Sequence, residues 1–232
     1  SAHQQYVTRP PDERMDSLQH LIDASRADKA HSVERVYTPR DLRMVADDTI
    51  LLQSPKGTAE MTHWAFGQLC RSIGAPAGYL RDLPTSIAAQ AINHGLSTGM
   101  SGDLNLLVRL PNGAPTPIVR AATSDSYGRL WDAPLYEAIQ TTFGHDDKWT
   151  LPPTWDGKPA VAYRGDRDSF LIMTNWGSIV NDPSVSSGNG AMFRGIMVRN
   201  SEVGSAAVSL EQVLFRYICG NHMLWGAVMG KQ

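Results

Sequence analysis

The stretch MFRGIMVRNSEVGSAAVSLEQVLFRYICGNHMLW, residues 192–225, carries the strongest secondary-structure signals in the chain. Apolar residues alternate with charged or small ones over residues 192–198, which predicts a half-buried strand. Residues 200–205 are polar and turn-forming, so they predict a loop. Ser209 has the character of a helix N-cap, and apolar positions recur at helical spacing after it, which predicts a helix over residues 210–219. This order of elements indicates an α+β fold.

Two further pairs of segments predict β-hairpins. Residues 104–110 alternate between apolar and polar side chains, and residues 118–123 return as a partner strand after a turn. Residues 160–164 and 169–174 form the second pair. Single strands are predicted at residues 33–37 and 49–53, and helices at residues 58–73, 85–94 and 130–143. We therefore predict a mostly antiparallel sheet of hairpins with helices packed on one face.

Composition places the chain among folded soluble proteins, with 232 residues of which 42% are hydrophobic and 19% charged. We predict a polar lead-in with one short helix over residues 1–30 and a single α+β domain over residues 31–232, with native chain continuing beyond it. No apolar run approaches the roughly 20 residues of a membrane helix, so we predict a cytoplasmic protein without membrane contact. A formal net charge of −2 excludes a globally basic nucleic-acid binder, although it leaves room for a local basic groove.

Arginine and aromatic residues cluster around the first predicted hairpin. The set consists of Arg109, Arg120, Tyr127, Arg129 and Trp131. Guanidinium groups pair with phosphates, and exposed aromatic rings stack on unpaired bases with about 1–3 kcal/mol each. These residues predict a sequence-tolerant surface for single-stranded nucleic acid. They also fit the alternative that the rings lie in the core and the arginines pair with carboxylates or carbonyls.

A second candidate site is a ligand loop with the strand before it. Its residues are Arg194, Arg199, Asn200, Ser201 and Glu202. The helix predicted to follow would point its N-terminal amides at an anion or nucleotide. Against a phosphate loop, the stretch has no glycine-rich run with Lys-Ser or Lys-Thr, and Glu202 would repel an anion unless it binds a cation. The alternative is a hydrogen-bonded structural corner.

Signals for catalysis and for metal binding are weak. Cys219 and His222 have the spacing of a pair of zinc ligands, but no second pair stands at ligand spacing. The chain also lacks the Gly-x-Ser-x-Gly sequence of a nucleophile elbow. We predict no catalytic residues, no metal site and no cofactor, and the residues favour a binding protein over an enzyme without deciding between them.

Two stretches together resemble a known family: RAATSDSYGRLWDAP, residues 120–134, and MVRNSEVGSAAVSLEQVLFRYICGNHMLWG, residues 197–226. They resemble the phage- and plasmid-like proteins grouped as domain-of-unknown-function family 932. That family brings no settled activity, so the resemblance assigns no residue a role. It implies a mobile-element context, which favours DNA metabolism, recombination or phage–host conflict.

Three functions follow from these observations. The leading hypothesis is a mobile-element protein of DNA metabolism that binds single-stranded nucleic acid, related to annealing or recombination and able to form a homo-oligomer. The second is a nucleotide-binding enzyme or sequestering protein in phage–host conflict. The third is a structural or assembly protein.

Overall fold

The computed structural model describes residues 10–110, 113, 116–144, 148–152, 162–181 and 191–216. The chain divides into two compact units. The central unit comprises residues 27–129, and the terminal unit comprises residues 1–26 together with 130–232. The single domain over residues 31–232, preceded by a lead-in over residues 1–30, stays a prediction.

Within the described residues the chain forms five α-helices and twelve β-strands. The helices are α1 Leu18–Ala30, α2 His63–Ser72, α3 Ala77–Asp82, α4 Thr85–Thr98 and α5 Asp132–Phe143. The strands are β1 Arg14–Met15, β2 Ser32–Tyr37, β3 Arg43–Ala46, β4 Ile50–Ser54, β5 Gly57–Met61, β6 Leu104–Arg109, β7 Ile118–Ser124, β8 Trp149–Thr150, β9 Ala162–Arg164, β10 Ser169–Asn181, β11 Ala191–Asn200 and β12 Ser209–Arg216. None of these helices combines the length and the apolar character needed to span a bilayer.

The central unit is built on a six-stranded sheet with the order β2-β6-β7-β5-β4-β3. Its neighbouring strands are antiparallel except for the parallel pair β5 and β7. Leu69 of α2, Leu80 of α3 and Ile92 of α4 are buried in one hydrophobic cluster with Leu106 and Val119 of the sheet. The helices therefore cover one face of this sheet.

The terminal unit is built on an antiparallel sheet with the order β1-β9-β10-β11-β12, and β8 pairs with β10 beside it. Ile22 of α1 and Tyr136 of α5 are buried against Leu171, Ile196 and Val198 of the sheet. Each unit thus has its helices on one face of a largely antiparallel sheet. The predicted α+β class and the predicted arrangement of helices are confirmed.

The helix predicted over residues 210–219 is wrong, because residues 209–216 form the strand β12. Ser209 is not a helix cap but the residue paired with Arg199 of β11. The apolar residues Leu210, Val213 and Leu214 follow a helical period and do not alternate as those of a half-buried strand do, so the local pattern alone favours a helix. Hydrogen bonding to β11 decides in favour of a strand. The exposed edge of β11 offers backbone donors and acceptors, and these pair with backbone groups of residues 209–216.

Two other segments differ from the prediction, while both predicted hairpins are confirmed. Residues 43–46 form β3, which the sequence did not predict. The strand β5 covers residues 58–61, which were predicted as the start of a helix. The helix α2 begins only after Thr62, whose Oγ1 accepts from the backbone N–H of Ala65. Cys219 and His222, weighed as zinc ligands, lie outside the described residues.

Candidate functional site

The three arginines of the predicted nucleic-acid surface lie in the central unit and pair with carboxylates there. The Arg120 side chain is 5% exposed, and its Nη1 lies 2.8 Å from Oδ2 of Asp28. Arg109 approaches the same carboxylate, with Nη1 3.6 Å from Oδ1. Arg129, whose side chain is 1% exposed, donates from Nε to Oε1 of Glu34 at 2.9 Å. A phosphate would have to displace these carboxylates, so the contacts favour a structural role.

The two aromatic residues of that surface belong to different units. Tyr127 is half-buried in the central unit, where Cζ of Arg129 lies 5.3 Å from its ring centroid. Trp131 is half-buried in the terminal unit and stands at the N-cap position of α5. Nucleic-acid binding by these residues stays a prediction, and their contacts fit the structural alternative.

Arg129→Ala is expected to lower the free energy of unfolding by about 2 kcal/mol, because Glu34 loses the buried cation that pairs with it. Equilibrium urea denaturation measures the loss. Arg71→Ala removes an exposed arginine of the same unit and serves as the control, with an expected change below about 0.5 kcal/mol. A stable Arg129→Ala protein that no longer binds single strands would instead return the binding site to Arg129.

The predicted ligand loop contributes to a buried ionic cluster in the terminal unit. Glu202 is 3% exposed and accepts from the backbone N–H of Asp132 at 3.0 Å and from Nη2 of Arg164 at 3.2 Å. Arg164 also donates from Nε to Oδ2 of Asp132 at 3.2 Å. One guanidinium therefore bridges two buried carboxylates and connects β9, the start of α5 and the loop after β11.

Hydroxyl and amide groups complete the cluster around Asp132. Ser169 donates to Oδ1 of Asp132 at 2.6 Å and accepts from the Tyr136 hydroxyl at 2.8 Å. Nδ2 of Asn200 donates to the same Oδ1 and to the carbonyl oxygen of Leu130, each at 2.8 Å. The polar groups of the cluster satisfy one another inside the protein, as buried polar networks in stable folds do.

Ser201 fixes the rest of the loop in the same manner. Its Oγ donates to the carbonyl oxygen of Arg167 at 2.6 Å and accepts from the backbone N–H of Ser205 at 2.8 Å. Because its donor and acceptor are both used to fold the loop, Ser201 is held as a structural residue. This arrangement favours the structural-corner alternative for residues 200–202.

The two arginines of the ligand set are separated by the sheet. Cζ of Arg199 lies 5.8 Å from the ring centroid of Phe170, on the face opposite the helices. Arg194 lies five residues earlier, so it projects from the helix-bearing face, where it is exposed. The structure joins Asn200, Ser201 and Glu202 in one corner but does not bring Arg194 to them.

Two groups of the cluster have shifted pKa values, a property that is also found in catalytic sites. Burial raises the pKa of Asp132 above its ordinary value of 3.8, and the negative charge of Glu202 raises it further. Burial also raises the pKa of Tyr136. Perturbed carboxyl groups occur in structural ion clusters as well as in active sites. In the described part of the chain no three His, Cys, Asp or Glu side chains are grouped to hold a metal ion.

A row of four paired residues crosses the terminal sheet elsewhere. Trp149 of β8 pairs with Asn175 of β10, Asn175 pairs with Arg194 of β11, and Arg194 pairs with Leu214 of β12. Directly paired residues of antiparallel strands project from the same face. The row therefore presents an aromatic ring, an amide, a guanidinium and an aliphatic side chain side by side.

This row forms part of an open groove of about 550 Å³ on the helix-bearing face. Trp149 packs against Phe143, the last residue of α5, with ring centroids 4.9 Å apart and planes inclined at 59°. The groove is also lined by Leu210 of β12, which is 60% exposed. Its lining residues in the described part of the chain, none of them acidic, are Phe143, Trp149, Asn175, Ser178, Arg194, Gly195, Ile196, Leu210, Gln212, Val213 and Leu214. A mostly apolar concavity with a few polar groups is the usual form of a ligand site.

Sequence reasoning identified only Arg194 among the groove residues. Trp149 lies in the two-residue strand β8, which is too short to give a periodic signal. Leu214 was assigned to a helix, and its place beside Arg194 depends on the register between β11 and β12. Arg194, a charged residue within the predicted strand of residues 192–198, was the one local signal for this surface.

No family model, curated protein or solved structure matches this chain. The resemblance to family 932 stays a prediction, and functional inference must come from the chemistry of the sites.

Proposed function

We propose that this protein binds single-stranded nucleic acid, without catalysing a reaction on it, through the groove of the terminal unit. The observation that carries the proposal is the cross-strand row in which Trp149 and Arg194 flank Asn175. Aromatic rings and an arginine side chain, in a groove whose described lining residues include no acidic one, are what sequence-tolerant single-strand binding requires. The proposal keeps the predicted chemistry but moves it from the first hairpin to the second sheet.

The spacing within the row supports binding of a base and its phosphate together. Trp149 and Arg194 are separated by one strand, which places their backbones about 10 Å apart. In this mode a base stacks on the open side of Trp149 while its phosphate pairs with the guanidinium of Arg194. The aliphatic side chains of Leu210 and Leu214 form an apolar floor that suits the faces of neighbouring bases.

The wider role in this proposal is annealing or recombination of a mobile element, and the family resemblance is its support. Bases held on a protein surface with one edge exposed can pair with a second strand, which is what annealing requires. A cytoplasmic location and assembly into a homo-oligomer, in which grooves of several copies would follow one strand, belong to the same proposal.

A second candidate function is binding of a free nucleotide, as an enzyme or a sequestering protein. The volume of the groove favours it, since about 550 Å³ falls within the roughly 300–1,000 Å³ range of small-ligand pockets. Stacking on Trp149 and pairing with Arg194 would serve a free nucleotide as they would serve one unit of a strand. The length of the ligand, and not its chemistry, separates the two functions.

The deciding experiment is fluorescence anisotropy of a labelled single strand of about thirty nucleotides, against a duplex of equal length, over a salt series. We expect tighter binding of the single strand, with an affinity that falls as salt rises. Mononucleotides should also be tested as competitors of the labelled single strand. If they displace it at a concentration close to that of the strand's own phosphate groups, the second candidate function is supported. No binding of either polymer at low salt, and no thermal shift with any nucleotide, would exclude both.

A further inference from the structure

Asn175, the middle residue of the cross-strand row, has a side-chain amide whose orientation is set by the fold. Its Oδ1 accepts from the backbone N–H of Gly177 at 2.9 Å. Because an N–H group pairs with the amide oxygen and not with the amide NH2 group, this bond distinguishes the two ends of the amide. The bond lies where the pairing of β10 with β11 becomes irregular, between Asn175 and Ile179. The amide oxygen therefore serves the backbone of β10.

The other end of the amide is a hydrogen-bond donor. Nδ2 of Asn175 carries two N–H groups, and no acceptor for them is found among the described residues. The side chain is half-buried and lines the groove. Arg194, the next residue of the row, also carries donors and no acceptor. The middle of the row is thus complementary to a ligand that presents hydrogen-bond acceptors.

Binding of a nucleotide across the row would bring the edge of its base to Asn175. This step rests on the proposed function, in which the base stacks on Trp149 and the phosphate pairs with Arg194. Asn175 lies on the strand between the strands of these two residues, and neighbouring strands are about 4.8 Å apart. The amide of Asn175 is therefore within reach of a base that stacks on the ring.

Bases differ in what they offer to such a donor. Thymine carries a keto oxygen that only accepts, and uracil carries the same group, whereas adenine carries an amino group beside its ring acceptor N7. An asparagine recognises adenine by accepting from that amino group while it donates to N7. At Asn175 the accepting half of this pairing would compete with the bond from Gly177. The donating half suits a keto oxygen without this competition.

We propose that Asn175 determines base specificity in the groove and makes it prefer thymine and uracil to adenine. Nδ2 of Asn175 donates to a keto oxygen of the base that stacks on Trp149. An adenine that accepts through N7 instead brings its amino group, a second donor, against the same amide. One neutral hydrogen bond of this kind gives a preference of about 3- to 10-fold in affinity.

Asn175→Asp tests the proposal, because the carboxylate keeps an acceptor for Gly177 and removes the donor. Fluorescence anisotropy measures the affinity of both proteins for strands of about thirty thymidine, deoxyuridine or deoxyadenosine nucleotides. The wild type should bind the thymidine and deoxyuridine strands more tightly than the deoxyadenosine strand. The ratio of these affinities should fall by about 3- to 10-fold in Asn175→Asp. Stacking within the free deoxyadenosine strand is the same for both proteins, so it cancels when the ratios are compared.

Gln212→Glu is the matched control for the added negative charge. Gln212 lies on β12 and lines the same groove. Its replacement should weaken the binding of every strand and leave the ratio at the wild-type value. An unchanged ratio in Asn175→Asp, or an equal fall in Gln212→Glu, overturns the base preference and leaves single-strand binding through the groove intact. A wild-type protein that binds none of the strands overturns both proposals.

Discussion

Replacing Arg164 with Met is expected to lower the free energy of unfolding by about 3–5 kcal/mol, the range found when a buried ion pair loses one partner. Arg164 donates to Asp132 and Glu202, each at 3.2 Å, and its side chain is 11% exposed. Met preserves much of the side-chain volume, so the loss measures the charge and its hydrogen bonds. Two buried carboxylates would then face each other without the cation between them.

The same variant should show a distinctive dependence on pH. Asp132 is a carboxyl group whose pKa in the folded protein is raised above 3.8, first by burial and then by the charge of Glu202. Such a group favours folding when protonated, so its contribution to stability is lost as pH rises from 3.8 through the folded pKa. Without Arg164 that pKa rises further. Part of the lost stability should therefore return as the pH falls from 7 towards 3.8.

Urea denaturation of the wild type and of Arg164→Met, at pH 7 and at pH 5, measures these effects. Arg194→Met is the matched control, since Arg194 is an exposed arginine on the same sheet, and it should change stability by less than about 0.5 kcal/mol. Wild-type stability of Arg164→Met at pH 7 would contradict the structural role of the cluster. A difference in the free energy of unfolding between the wild type and Arg164→Met that is larger at pH 5 than at pH 7 would also contradict it.

Trp149→Leu is expected to weaken single-strand binding by about 5- to 150-fold, which corresponds to the roughly 1–3 kcal/mol of one stacked base. Leu retains apolar contact with Phe143 but offers no aromatic face. Because stacking does not neutralise a phosphate, the slope of affinity against salt should stay at its wild-type value. Anisotropy over a salt series measures both quantities.

Trp176→Leu is the control for this substitution. Trp176 is half-buried on the same sheet, but its ring packs on Phe193 at a centroid distance of 4.7 Å and belongs to the opposite face. We expect its affinity for the single strand to equal that of the wild type. Equal losses in both tryptophan variants would indicate a general weakening of the sheet and would remove the stacking role of Trp149.

The sequence predicted elements whose signals are local. The hairpin of β6 and β7 is visible because Leu104, Leu106 and Val108 alternate with other residues before a turn. The strand β12 was missed because its apolar residues follow helical spacing, and pairing with the neighbouring strand β11 overrides that local pattern. Local pattern is therefore informative about a hairpin and ambiguous at the edge of a sheet.

Functional sites depended on contacts that no local pattern contains. Arg129 and Glu34 are 95 residues apart in sequence, and Arg164 and Glu202 are 38 apart. The sequence identified these arginines as cations, but it gave no sign that carboxylates already pair with them. The groove likewise depends on register, including the irregularity of β10 that follows Asn175.

The most direct test of the central claim compares Arg194→Gln with Arg71→Gln in single-strand binding across a salt series. Arg194 lines the groove, whereas Arg71 is an exposed arginine of the central unit, so the two variants remove the same charge at different places. Groove binding predicts that Arg194→Gln alone loses affinity and that its slope of log K against log salt becomes shallower by about 0.7, the value for one phosphate contact. Identical affinities and slopes for the two variants would contradict binding through the groove.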